Sequence, residues 1–337
     1  MILMQAIQSI SFPYKLAAAT ILLVLSLAVA LLYGAADMEV SDVWKALTTD
    51  ISNKSTNIIR ELRLPREIAA ILVGAGLSVS GAIMQGMTRN PLADPGLLGL
   101  TAGANAVLAL TIALYPAVGY FGTMIACFIG AGVGAGLVFG IGSLRRGGFS
   151  PFRIVLAGAA VSALLFAVAD GVALQFNISK DVSMWTAGGL LGVTWQQIQV
   201  IAPFIIIGIV IALFLARQLT IMSFSDDLAV GLGQKVTRVK VTLFVLIIIL
   251  AGASVALVGN MAFIGLMVPH IVRPIVGQDY RYVLPMCAVL GSCFMLVADT
   301  LARTINAPYE TPIAAIISII GLPFFLLIVN RGGKAFS

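Results

Sequence analysis

The sequence predicts an all-α polytopic membrane protein: about ten transmembrane helices with both termini cytoplasmic. Three observations predict it. The chain is 60% hydrophobic and only 10% charged over 337 residues, whereas a soluble domain carries about 25% charged residues. Its apolar runs recur at close to the ~20 residues that a helix needs to cross a bilayer. None of them alternates apolar with polar residues as a barrel strand does, and helices satisfy their own backbone polar groups within lipid.

In chain order the spans are expected near Leu16–Ala35, Glu67–Gly86, Gly96–Leu114, Val118–Gly142, Pro151–Gln175, Ile198–Leu215, Val236–Val258, Ile264–Val276, Val283–Ile305 and Pro312–Val329. The eighth is short for a full crossing. Leu16–Ala35 reads as a retained first span, because no basic n-region or clear small-residue cleavage site precedes it. The loops leave no room for a large extramembrane domain, so residues 1–337 read as a single transmembrane domain.

An even number of spans puts both termini on one side, and the excess of Lys and Arg decides which. One set of loops holds 13 basic residues, among them Arg89, Arg145, Arg146, Arg217, Lys240 and Lys334; the other holds 7. The termini are therefore expected to be cytoplasmic. Five of the 7 outer charges, Lys45, Lys54, Arg60, Arg63 and Arg66, precede the second span and depart from the rule. The net charge of +6 reflects this loop asymmetry and not nucleic-acid binding.

Catalytic chemistry finds little support. There is no G-x-x-x-x-G-K-[ST] motif for ATP, and Gly231-Leu232-Gly233-Gln234-Lys235 lacks its spacing. His270 is the only histidine, with no evident metal or nucleophile partner. Cys127, Cys287 and Cys293 all fall in apolar runs and read as buried small hydrophobes, not a disulfide or metal framework. No cofactor and no metal is expected in the chain.

The break Asn90-Pro91-Leu92-Ala93-Asp94-Pro95-Gly96-Leu97-Leu98-Gly99 separates the second span from the third. Its prolines disfavour helix in the residues before them, and Asp94-Pro95 is a helix start signal. One helix should end near Arg89 and the next begin near Gly96, on the cytoplasmic side. Arg63 and Arg66, in Arg60-Glu61-Leu62-Arg63-Leu64-Pro65-Arg66-Glu67, should lie near the outer mouth. Two readings stand there: docking of an acidic partner through guanidinium forks, or snorkelling with local pairing to Glu61 and Glu67. Asp299 and Arg303, four apart, can pair on one helix face, so a structural role for Asp299 outranks proton transfer. Asp170 stands alone in the outer half of the fifth span.

The longest cytoplasmic loop runs over residues 217–240. Ser225 can cap a short helix with an acidic first turn, Asp226 and Asp227, that ends at Gly231 or Gly233. Such a helix suits docking to a soluble subunit, or is a plain surface helix. In Gly265-Leu266-Met267-Val268-Pro269-His270, the proline frees a carbonyl that His270 or a neighbour could satisfy. Gly132, Gly136 and Gly140, and Gly130 with Gly134, form small-xxx-small faces expected to pack within the chain.

Together these segments resemble the permease subunits of bacterial ABC importers for iron-siderophores, haem and cobalamin. The resemblance rests on Arg63-Leu64-Pro65-Arg66, Ser80-Gly81-Ala82-Ile83-Met84-Gln85, Asn90 to Gly99, Ala229 with Leu232-Gly233, Phe263 to His270, and Ala298-Asp299 with Arg303. It covers nearly the whole chain, in order. It implies two permease subunits, either a homodimer or a paralogous heterodimer, two cytoplasmic ATPases that bind ATP and Mg, and an extracellular or periplasmic binding protein that delivers the chelate. It implies that Arg63, Arg66 and Arg303 meet acidic residues of that binding protein. It implies that Asp226, Asp227, Leu228, Ala229, Gly231, Leu232 and Gly233 couple to the ATPase, and that Asn90, Pro91 and Leu92 form a cytoplasmic gate. The expected substrate is a ferric siderophore, with cobalamin or haem as alternatives, carried across the bacterial cytoplasmic membrane. Its rivals are an ion- or proton-coupled transporter using Asp170 or Asp299, an aquaporin-like channel that lacks its second Asn-Pro half-helix, and an intramembrane enzyme that lacks its catalytic groups.

Overall fold

The computed structural model describes residues 10–34, 38–143, 151–307 and 309–332. Ala35, Arg145, Arg146, Pro308 and Lys334 lie outside them, as does the side chain of Arg331. Helices follow one another as α1 Phe12–Leu32, α2 Val40–Thr48, α3 Lys54–Ile58, α4 Leu64–Thr88, α5 Leu100–Leu114, α6 Tyr120–Ser143, α7 Pro151–Gln175 and α8 Ser179–Thr186. The second half holds α9 Trp195–Phe214, α10 Ala216–Phe224, α11 Asp226–Gly231, α12 Val236–Val258, α13 Ile264–Val276, α14 Tyr280–Thr304 and α15 Ile313–Gly332. The described residues contain no strand.

Seven helices among the described residues are long and apolar enough to cross a membrane. Three shorter apolar helices, Leu100–Leu114, Ile264–Val276 and Ile313–Leu326, cover the other expected spans. At about 1.5 Å per residue, the 15 residues of α5 reach roughly 22 Å, short of a hydrocarbon core of about 30 Å. The expected start of that span at Gly96 is wrong for a local reason. Pro95–Leu98 forms a 3-10 turn, and Gly99 at φ 72° separates it from α5. Only a residue without a Cβ takes that left-handed conformation cheaply.

The expected outer loop before the second span is also largely helical. α2 and α3 fold there, and a π-helical turn, Ile59–Arg63, runs directly into α4, so helix continues from Lys54 to Thr88. Pro65 therefore lies inside a continuous helix, and it has no N–H to donate back into the π-helical turn.

α4 is the central helix; 20 of its 25 residues are buried. It packs against α14, α12, α13 and α9, while α5, α6 and α7 pack on one another beside it and α1 lies on α14. Glycines set the closest approaches. A Cβ on Gly81 would fall 1.9 Å from the Gly265 carbonyl oxygen, and one on Gly74 would fall 2.3 Å from that of Gly291. Gly130 and Gly134 meet Gly103 and Gly99 in the same way, as the small-residue pattern predicts. The second stripe does not: a Cβ on Gly132 or Gly136 would meet nothing within 4 Å, so among the described residues nothing packs against those positions.

Pro269 deprives the Gly265 carbonyl of its helical donor. Gln85 on α4 fills the gap, its Nε2 donating to Gly265 O and Leu266 O at 3.3 Å each. The satisfying neighbour is thus Gln85, while His270 meets the ring of Phe324 edge-on at 5.7 Å.

Candidate functional site

The residues singled out from sequence gather at the two ends of α4. At its N-terminal end lies a buried cluster of three arginines and three carboxylates. Arg66 is forked: Nε and Nη2 donate to Asp299 Oδ1 at 3.0 and 2.8 Å, while Nη1 and Nη2 donate to Glu310 Oε1 and Oε2 at 2.7 and 2.9 Å. Arg303 Nη2 pairs with Glu67 Oε1 at 2.5 Å, and its Nε lies 3.0 Å from Asp299 Oδ2. Arg303 also donates to the Ala30 carbonyl, and Arg63 donates to that of Leu31. The end of α1 closes over the cluster, since a Cβ on Gly34 would fall 3.2 Å from Arg63 Nη2.

Glu67 and Asp299 are 0% exposed, and Arg63, Arg66 and Arg303 are 4–8% exposed. The expected i,i+4 pair of Asp299 and Arg303 is present. The local pairing expected of Arg63 and Arg66 with Glu61 and Glu67 gives way to distant partners: Arg66 pairs with Asp299 and Glu310, and Glu67 pairs with Arg303, 236 residues away. Glu310 was not foreseen: nothing in its neighbourhood marks it, because its partner is 244 residues distant. Its side chain is 30% exposed, so it forms the accessible rim of the cluster. Asp170 is exposed on α7, apart from these groups.

At the C-terminal end of α4, Arg89 caps the helix at φ 54° and Asn90 closes the next turn by accepting the Leu92 N–H at 2.9 Å. Asp94 Oδ1 accepts the Gly96 N–H at 2.7 Å, and burial pushes this carboxyl above its usual range. The helix expected at Ser225 is α11; Ser225 Oγ accepts the Leu228 N–H at 2.9 Å, and Gly233 at φ 78° follows the helix end. Ala229 is fully buried against the bundle, while Leu228, Val230 and Leu232 are 48–64% exposed.

An ion pair joins the two elements. Arg89 Nη2 contacts Asp226 Oδ1 at 2.9 Å, and Lys240 Nζ contacts Asp226 Oδ2 at 2.6 Å. The turn that carries Asn90, Pro91 and Leu92 is thereby tethered to α11. On the neighbouring side, Thr220 Oγ1 on α10 donates to Asp279 Oδ1 and accepts the Tyr280 N–H. Arg281 holds the Asp279 carboxyl below the usual carboxylate range. A cleft of about 580 Å³ opens between Arg89, Pro91, Phe224, His270 and Arg273. A second cavity, of about 440 Å³, lies above the turn, lined by Asp94, Leu97, Thr101, Phe166, Asn260 and Phe263. Phe263 holds an αL conformation at φ 68°, uncommon for a bulky residue.

Among the described residues no group of His, Cys, Asp and Glu is placed to hold a metal ion. The geometry is that of a helical bundle with a charged cluster at one end of its central helix and a tethered short helix at the other. Known proteins agree with this. The model of the FecCD transport family matches residues 22–331. The chain is 45% identical over 299 residues to the iron(3+)-hydroxamate import system permease protein FhuB of Bacillus subtilis, covering 88% of this chain and 78% of that protein. It is 40% identical to the iron-uptake system permease protein FeuB of the same organism, covering 92% and 93%. It is 37% identical to the hemin transport system permease protein HmuU of Yersinia pestis, covering 88% and 90%. A solved inward-facing structure of a putative metal-chelate type ABC transporter superposes with a TM-score of 0.83 at 26% identity, covering 95% of this chain and 99% of that one. The chain belongs to the FecCD transport family of multi-pass membrane permeases.

Proposed function

We propose that this chain is the permease subunit of an ATP-driven importer that carries a ferric siderophore inward by alternating access. The observation that carries the substrate class is the 45% identity, along most of the chain, to an iron(3+)-hydroxamate permease. Ten crossings with cytoplasmic termini place Asn90–Leu92 and α11 inside, facing two ATPase subunits that supply ATP and Mg chemistry. A second permease subunit, the same chain or a paralogue, completes the pathway. The exposed Leu228, Val230 and Leu232 are the surface that the ATPase covers, and the Arg89–Asp226 pair passes its movement to the turn.

On the outer side, Arg63, Arg66 and Arg303 form the docking cluster for the binding protein. Their burial narrows how docking works. Glu310 holds the outward fork of Arg66, so an acidic side chain of the partner engages Arg66 in its place. The test of the substrate class is uptake in cells lacking this gene and complemented with it. Labelled ferric hydroxamate should enter only with the intact gene and only while ATP is maintained. Entry of haem or cobalamin alone would transfer the reading to those chelates, and entry that survives ATP depletion but stops on collapse of the proton gradient would favour a proton-coupled carrier using Asp170 or Asp299.

A further inference from the structure

α2 has three sectors. Ala46 is buried and Val43 half-buried, packing with Leu27, Leu31 and Ile59 against the last turns of α1. Ser41, Lys45 and Thr48 are exposed and polar on the far side. Between them runs a stripe at helical spacing, Val40, Trp44 and Leu47, whose side chains are 70, 68 and 56% exposed. Among the described residues nothing in the chain covers it. Large apolar side chains in such a row are costly in water.

We infer that α2 lies in the plane of the membrane surface, with Val40, Trp44 and Leu47 seated in the outer boundary between headgroups and acyl chains. Continuity with α1 identifies lipid as the occupant. α1 is a membrane-length helix with only 17% of its apolar window buried, and Ile21, Leu22, Val24, Leu25 and Val29 face outward along it. α2 packs on the end of that same helix, which Tyr33, 55% exposed, caps. An aromatic ring with one polar edge favours this depth, and a helix with a strong apolar face and a polar back lies in the interface.

The placement also reaches the charged cluster. Arg60 in the π-helical turn donates to the carbonyls of Ala46, Ile51 and Thr49, locking the C-terminal end of α2. The Arg60 carbonyl in turn accepts from Trp195 Nε1 at 3.0 Å. That turn leads straight to Arg63 and Arg66. Lipid contact through α2 therefore holds the entrance cluster at a set depth relative to the bilayer.

The test uses the full chain in phosphatidylcholine vesicles, with Trp44 as its one tryptophan (W185F/W195F). Lipid brominated near the headgroup should quench Trp44 emission by about half, lipid brominated deep in the acyl chain should quench it less, and aqueous iodide should have little effect. Iodide quenching near that of free tryptophan, with none from brominated lipid, would overturn the inference. W44F in the otherwise natural chain serves as a second reading: shallow-bromine quenching of total emission should drop, and an unchanged value would equally overturn it.

Discussion

At the N-terminal end of α4, Glu67 and Asp299 have no exposed surface, and Arg66 and Arg303 each meet two carboxylates. At its C-terminal end, Arg89 and Asp226 leave 39% and 38% of their side chains exposed, and water shares their pairing. Both are ion-pair networks on one helix, roughly 35 Å apart at 1.5 Å per residue. Desolvated charges are expensive to strand, whereas half-exposed pairs are worth about 0–1 kcal/mol. The first network should therefore be costly to break and slow to rearrange. In the second, the Arg89–Asp226 pair can break and reform at little cost, as a moving joint requires, while the buried Lys240 keeps Asp226 in place.

The largest effect should follow from Asp299→Ala. It leaves Arg66 and Arg303 each short of a buried partner, for a loss of about 3–5 kcal/mol. Monodisperse protein should be strongly reduced in detergent extraction. Replacing the pair Glu67 and Arg303 together, by Leu and Met, should recover much of what either single replacement loses. Equal losses for single and double variants would remove the contrast between the two ends.

Next comes the docking fork. Arg66→Ala should weaken binding-protein affinity by tenfold or more, about 1.4 kcal/mol, while Glu310→Gln should tighten it by freeing the outward fork. If Arg66→Ala leaves affinity unchanged, the cluster is structural only. If Glu310→Gln weakens docking, Glu310 positions Arg66 and does not stand in for the partner.

Leu228→Asp should leave the melting temperature within the small range of surface substitutions, about 0.5 kcal/mol. Uptake should fall at least about tenfold. Arg89→Gly then probes the tether. Glycine relieves the left-handed φ of 54° while removing the ion pair, so stability should barely change. Reduced uptake with intact ATPase assembly is the expected result; unchanged uptake would show that Asp226 and Lys240 suffice without Arg89.

Much of this arrangement was legible in the sequence because it is local. Hydrophobic run lengths marked the helices, Ser225 marked α11, and the spacing of Asp299 and Arg303 marked their pair. What was hidden is what depends on distant partners. Glu310 and Gln85 act across 244 and 180 residues; Glu310 has no distinguishing neighbourhood, and the stretch that contains Gln85 does not name its partner. α2 was missed for another reason: one turn of buried apolar residues beside one turn of exposed ones reads as a charged outer loop with scattered hydrophobes. The Gly132 and Gly136 stripe shows the limit of pattern alone, since the same spacing serves a packed face at Gly130 and Gly134 and an open one beside it.

The smallest effects separate two carboxylates near the turn end by sign. Asp279 caps α14 and is held below its usual range chiefly by the Arg281 side chain, with further hydrogen bonds from the Arg281 backbone N–H and the Thr220 hydroxyl. Its contribution is present above the ordinary carboxylate range and is lost as pH falls through the lowered value. Asp94 is the reverse case: burial raises it, against a smaller opposing bond from Gly96. Stability therefore falls as pH rises from the ordinary to the raised value, then levels off. Asp279→Asn should lower the melting temperature at neutral pH, by about 1 kcal/mol or less for a partly exposed cap, and the deficit should close in acid. Asp94→Asn keeps an acceptor for the Gly96 N–H, so it should match the natural protein in acid and exceed it near neutrality. Melting curves from about pH 3 to pH 8 decide both. Curves for both variants that run parallel to that of the natural protein would show that neither carboxyl changes its pKa on folding, and the electrostatic account of the turn end would fail.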